Sequence, residues 1–184
     1  MNKLERKRLD IAIGYFAKRF YDKIKKFPTQ TQVYKFLAFV DFTSAKERGK
    51  PVFGLKYLAM NNGPVPVDLY NEIKSVISVK TYPYFKVIVK ENKREIAPID
   101  NRELNMKFFS KEEKELLDRF VEIFVEEGLN TYHYSEASHE KIKAWKKAYN
   151  QKPNSPMDYL DEIEDEELKE IYEGFLEIEA LKRG

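Results

Sequence analysis

The sequence predicts a mainly α, α+β fold: a compact multi-helix domain with one short β-hairpin. Three observations carry this. Leu9, Ile13, Phe16, Phe20 and Ile24 recur at helical spacing with basic residues between them. Val33, Phe36, Leu37 and Val40 form a second apolar stripe of the same period. After Pro83 the period changes, and Phe85–Lys90 and Glu95–Ile99 read as two short strands around Glu91-Asn92-Lys93-Arg94.

Taken in order, the first helix runs to Lys26 and stops at Phe27-Pro28, since proline cannot continue it. Thr29 or Thr31 caps the second, and Gly49 supplies a left-handed stop just after Arg48. The run Gly49-Lys50-Pro51-Val52-Phe53-Gly54 and the run Ala59-Met60-Asn61-Asn62-Gly63-Pro64-Val65-Pro66 then interrupt the helical pattern. Between them Lys56–Met60 is expected to make one or two helical turns. Pro64 and Pro66 each fix φ, remove an amide donor and push Gly63 or Val65 toward extended backbone. Such a rigid segment reads either as a turn between helices or as a loop that holds a site. Pro66 suits the first position of a helix through Ile77, with Asp68 in its favourable first turn.

Pro98 confines the second hairpin strand to an edge or ends it. Ser110-Lys111-Glu112-Glu113 is a capping signature, followed by the helical face Leu116, Leu117, Phe120, Ile123 and Phe124 and a stop at Gly128. Asn130 or Thr131 restarts a short helix ending near His139, and Lys141–Ala148 forms another with Trp145 directed inward. A polar loop, Asn150–Pro156, precedes a last helix over Asp165–Lys182.

At 184 residues, 42% hydrophobic and 14% aromatic, the chain can bury a real core. It has no cysteine, which excludes a disulfide framework, a thiolate nucleophile and cysteine-based metal ligation. No apolar run reaches membrane-helix length and charged residues break up the start, so a cytoplasmic protein without a membrane role is expected. The net charge of +2 hides an asymmetry: Met1–Lys26 carries nine Lys or Arg against three acids, and Asp158–Glu179 one Lys against eleven. These ends read as solvated helix faces, as surfaces that attract each other within or between chains, or as contacts for a basic protein and for nucleic acid.

Signals for chemistry are sparse. His133 and His139 stand six apart, off a common helical face, and no ligand set accompanies them, so no metal is expected. Ser135 and His139, four apart, superficially resemble a nucleophile and base but lack an elbow and an orienting third residue. His139 packing near Trp145 is the simpler reading. Asp41 ends the Phe36–Val40 run, where a buried carboxylate must find partners: either the amides of the following loop or a contact outside the chain. No Gly-rich phosphate loop is present. Neither a cofactor nor catalysis is expected.

Together the residues resemble the Panacea domain, the SocA-like antitoxin family. The likeness runs from Val33-Tyr34-Lys35-Phe36-Leu37-Ala38-Phe39-Val40-Asp41 through Gly49, Pro51, Gly54, Ala59, Gly63-Pro64-Val65-Pro66 and Tyr70. It continues over Phe109–Asp118 to Ser135-Glu136-Ala137-Ser138-His139 and Trp145. Phe36-Leu37-Ala38-Phe39 stands where relatives commonly carry Leu-Leu-Tyr-Tyr-like residues, and Asn62 where they carry Tyr.

The resemblance implies an antitoxin domain over 1–160, with the acidic helix of 161–184 packed on it. Its implied function is neutralisation of a cognate protein toxin by direct binding, or delivery of that toxin to a cytoplasmic protease. DNA-associated autoregulation and homo-oligomers are further possibilities. Asp41, Gly63, Pro64, Val65, Pro66, Tyr70, Glu136, His139 and Trp145 are the residues expected to shape or form the partner contact.

Overall fold

A computed structural model describes residues 1–91, 93–100, 102–126 and 131–181. Helix α1 (Lys3–Ile24) opens on a capping box in which Asn2 and Glu5 bond each other's backbone amides, and Lys25 closes it in a left-handed conformation. Helix α2 (Gln30–Arg48) has the same reciprocal cap from Thr29 and Gln32, with Gly49 as its left-handed stop at φ 68°. Almost every side chain of α2 from Gln32 to Ala45 is buried. The rest of the molecule is assembled around it.

The core is aromatic. Phe16 of α1 stacks on Phe36 of α2 at 4.4 Å, and Phe124 meets Phe16 edge-on at 5.3 Å. Phe124 lies on α4 (Lys111–Glu126) and stacks in turn on Tyr134 of α5 (Thr131–Lys141) at 4.2 Å. Each such pair adds about 1 kcal/mol beyond the area it buries. Ser110 caps α4 as expected: it accepts from Glu113 N at 3.2 Å and donates its own amide to Glu113 at 2.9 Å. The stop expected at Gly128 and the restart at Asn130 lie outside the described residues.

The second face of α1 is covered by an antiparallel sheet of β3 (Val79–Thr81), β4 (Phe85–Lys90) and β5 (Lys93–Pro98), in that order. The predicted hairpin is β4–β5, with Phe85 opposite Pro98, and β5 ends there on the sheet edge. Strand β3 was not expected; its three residues are all exposed and show no alternation. Helix and sheet approach closely because residue 14 is glycine: a Cβ there would lie 2.5 Å from the Tyr84 carbonyl oxygen.

Lys56–Met60, expected as helical turns, is instead mostly strand. β1 (Tyr57–Met60) pairs antiparallel with β2 (Gly63–Pro66), Tyr57 opposite Pro66 and Met60 opposite Gly63. The turn between them is Asn61-Asn62, with Gly63 at φ 93°. Asn154–Met157 adds backbone bonds to the outer edge of β1, including Ala59 N to Ser155 O at 2.9 Å. Helix α3 (Val67–Lys74) starts one residue late, so Pro66 is its cap, and stops short of Ile77.

Helix α6 (Lys143–Gln151) follows α5 after Ile142, and α7 (Glu166–Leu181) closes the described chain. α7 lies against the C-terminal end of α2, where a Cβ on Gly49 would sit 2.9 Å from that of Ile171. Lys182, the expected last residue of this helix, is outside the described residues. The molecule is thus mainly α with two small antiparallel sheets. None of the described helices is long and apolar enough to cross a membrane.

Candidate functional site: a hairpin clamped by two buried charges

The Gly63–Pro66 segment is half of a β-hairpin, and its prolines now have a geometric reason. In a strand, alternate residues aim both backbone polar groups at opposite edges. Gly63 and Val65 aim at β1, so Pro64 and Pro66 aim away from it. Proline has no N–H, so this outward edge exposes no orphan donors. The outward carbonyl of Pro64 accepts a hydrogen bond from Lys35 Nζ of α2 at 3.1 Å.

Lys35 is fully buried. Pro64 O is its one hydrogen-bond partner among the described residues, and no carboxylate pairs with it. Burial pushes its ammonium down to about 7. The turn is packed onto it from above: a Cβ at Gly63 would lie 2.7 Å from Lys35 Nζ and would overlap Ser138 Oγ. Ser138 of α5 is buried and donates to Ser135 O at 2.7 Å. Next to it, His139 stacks face to face on Trp145 of α6 at 3.8 Å. Trp145 Nε1 donates to Met60 O at 3.0 Å, and Tyr149 reaches Asn61 Oδ1 at 3.2 Å. Burial lowers the His139 imidazole below its usual range; Glu136, 3.5 Å away, opposes this and the Lys35 charge reinforces it.

Six residues further along α2, Asp41 is also fully buried. Its carboxylate accepts from Phe53 N at 2.7 Å, Leu55 N at 3.3 Å, and the hydroxyls of Tyr57 and Tyr159 at 3.1 Å each. Tyr159 also reaches Leu55 O at 2.7 Å. Burial pushes Asp41 up to about 6, against the pull of the four bonds. Of the two alternatives for Asp41, the amides of the following loop are therefore its partners.

The two charges grip opposite ends of one hairpin. Lys35 holds the turn end at Gly63-Pro64, and Asp41 holds the base through Tyr57, which faces Pro66. Six helical residues rise about 9 Å, and a four-residue strand spans about 10 Å. The spacing on α2 matches the length of the element it clamps.

Of the expected contact residues, Gly63, Pro64, His139 and Trp145 gather around the turn with Lys35 and Ser138. Val65 and Pro66 are buried in β2, and Asp41 sits at the hairpin base. Tyr70 lies apart on α3, half-buried, with its ring 6.2 Å from that of Tyr34. Glu136 is exposed on α5. Lys35 was not singled out in the sequence, although a signal existed. Its neighbours Val33, Tyr34, Phe36, Leu37, Ala38 and Val40 leave α2 no polar face, so a lysine inside that run had to be internal. Among the described residues no group of three His, Asp or Glu side chains is placed to hold a metal ion.

A family model described as antitoxin SocA-like, Panacea domain, matches residues 33–146. The chain belongs to that family. The match begins on α2 and ends just past Trp145, so it contains both clamping charges and the hairpin. Neither the curated proteins nor the solved structures searched include a match.

Proposed function

We propose that this chain is an antitoxin that neutralises a cognate small protein toxin by direct protein–protein contact. The family match over residues 33–146 is the observation that carries the reading. Neutralisation by contact needs no catalytic group and no cofactor, and the buried polar groups around the hairpin have a structural use without either. In this reading the chain acts in the cytoplasm as one domain with α7 packed on it.

A protein partner is favoured over nucleic acid by the family match, and the arginines of the basic first helix are used within the chain. Arg6 bonds Asp10 and Glu72, Arg8 bonds Glu113, and Arg19 bonds Glu122. Those guanidiniums are committed within the chain, which leaves a weaker footprint for phosphates.

The test is co-expression of the full chain with the product of the adjacent small open reading frame. Growth arrest by that product alone, relief on co-expression and co-purification of the two proteins are expected. An adjacent product that is neither toxic nor bound overturns the proposal.

A further inference from the structure

The two small sheets have four outer edges, and three of them are closed. Along β1, Asn154 N and Met157 N donate to Ala59 O and Tyr57 O. β2 turns Pro64 and Pro66 outward and so offers no donor. β5 is covered at Ile96, whose amide donates to Pro28 O at 2.8 Å, and it ends at Pro98. The fourth edge, β3, has no such cover.

Val89 N donates to Ser78 O and Tyr82 N to Phe85 O, both at 2.8 Å. Antiparallel alternation therefore turns Lys80 toward β4 as well, and turns the N–H and C=O of Val79 and Thr81 away from the sheet. Those groups bond nothing among the described residues. They form a backbone template of fixed spacing, and what such a template selects is another extended backbone. Arg94 holds the approach to the strand by donating to Lys74 O at 2.8 Å and Val76 O at 3.3 Å. Apolar surface accompanies the edge: Ile77 is 94% exposed and Val79 59%.

Charge narrows the choice of strand. From Ile73 to Lys90 the chain carries four lysines and no acid. Among the described residues Lys74 and Lys86 form no ion pair, and Lys80 reaches only Glu72, at 3.9 Å, a carboxylate already bonded by Arg6 through both oxygens. A second copy of β3 would bring the same lysines together, which opposes self-pairing. We propose that β3 receives an extended acidic segment of the protein partner as an added antiparallel strand. An Asp or Glu of that segment stands opposite Lys80, with apolar or β-branched residues opposite Val79 and Thr81. That the partner is a toxin rests on the antitoxin reading; the open edge and the chemistry it accepts do not.

The experiment uses the full chain and two probes: the product of the adjacent small open reading frame, and the synthetic peptide acetyl-Thr-Val-Glu-Val-Glu-Val-Thr-amide. A version of the peptide with lysine for glutamate tests the charge. The variants are Val79→Pro and Thr81→Pro, each of which deletes an outward N–H, and Lys80→Glu. Proline suits an outward position on an edge strand, so both proline variants are expected to melt with the parent. Should one not fold, the other tests the same edge. Ile178→Asp, on a residue 55% exposed on α7, is the control.

In the peptide complex the Val79 and Thr81 amides are expected to exchange hydrogen more slowly, while the Lys80 amide, already turned toward β4, is unchanged. Each proline variant should weaken both probes by roughly fivefold or more, with Ile178→Asp unchanged. Lys80→Glu should reverse the preference toward the lysine peptide. A glutamate peptide that fails to bind the unaltered chain, or binds both proline variants equally well, overturns the proposal. Should the adjacent product be bound and neutralised equally by both proline variants, the edge fails while the antitoxin reading stands. If that product is neither toxic nor bound, the antitoxin reading fails and the peptide alone decides on the edge. A concentration-dependent dimer in sedimentation that both proline variants dissolve makes the occupant a second copy and also overturns the proposal.

Discussion

Asp41 and Lys35 are both fully buried, both on α2, and both hold the same hairpin, yet they are solvated by the protein in opposite ways. Asp41 has four donors around one carboxylate, whereas Lys35 has one carbonyl for three N–H groups. A buried charge with a full shell is a structural tie that is costly to cut. One with a nearly empty shell is held by packing and sheds its charge readily. The burial shifts follow: Asp41 rises only to about 6 and stays mostly ionised at neutral pH, while Lys35 falls to about 7 and is half neutral there.

The sharpest way to break the comparison is to remove the better-solvated charge. Asp41→Ala leaves two amides and the Tyr57 hydroxyl without their acceptor, while Tyr159 keeps Leu55 O, and a loss of about 3–5 kcal/mol is expected in urea unfolding. The Lys35→Met variant, by contrast, should stay within about 1 kcal/mol of the parent at pH 7, because an apolar chain of similar size replaces a poorly paired ion. Equal losses from the two variants would erase the distinction.

The next effect is on pH dependence. Lys35 has a folded pKa of about 7, below its ordinary 10.5, so between these values the unfolded chain binds the additional proton. Stability contributed by this residue therefore rises with pH, by roughly 2–3 kcal/mol from pH 7 to pH 9, and is flat below 7 where both states are charged. Lys35→Met should lose that rise. Asp41 has the reverse sign: its folded pKa lies above the unfolded one, so its contribution falls as pH climbs from about 3.8 to about 6. Difference curves against Lys35→Met and Asp41→Asn should thus slope in opposite directions, and curves of equal sign would contradict the assignment.

A smaller loss is expected at the hairpin turn. Gly63→Ala puts a methyl group at φ 93° and into Ser138, for about 2 kcal/mol. Adding Ser138→Ala should relieve the overlap with Oγ but neither the contact with Lys35 Nζ nor the strain, and a double-mutant cycle reads the coupling. A still smaller loss, about 1 kcal/mol in the same urea series, is expected for Tyr159→Phe, which removes one hydroxyl shared between Asp41 and Leu55 O.

Much of this protein was legible in the chain because it rests on local rules. Gly49 and Ser110 mark helix ends through backbone freedom and a side-chain cap, wherever the chain goes in space, whereas α1 ends at a left-handed Lys25 before Phe27-Pro28 is reached. β4 and β5 alternate and flank a turn, so their pairing is local too. The misreading of Lys56–Met60 as helical came from length: five residues fit either period, and the deciding partner, Gly63–Pro66, had been read as a turn. Asn61-Asn62-Gly63 between them was the missed hairpin signal.

By itself, then, the sequence determined the long helices, the Thr29, Gly49 and Ser110 caps, the β4–β5 hairpin and the family, since each depends on residue type and spacing over short distances. The tertiary structure alone decided that Pro64 and Pro66 face away from their strand partner, and that the buried Lys35 meets the Pro64 carbonyl under the Gly63 turn. Those facts depend on which surfaces meet across the fold, with Lys35 and Ser138 both packed against the Gly63 turn, and no local rule encodes such meetings.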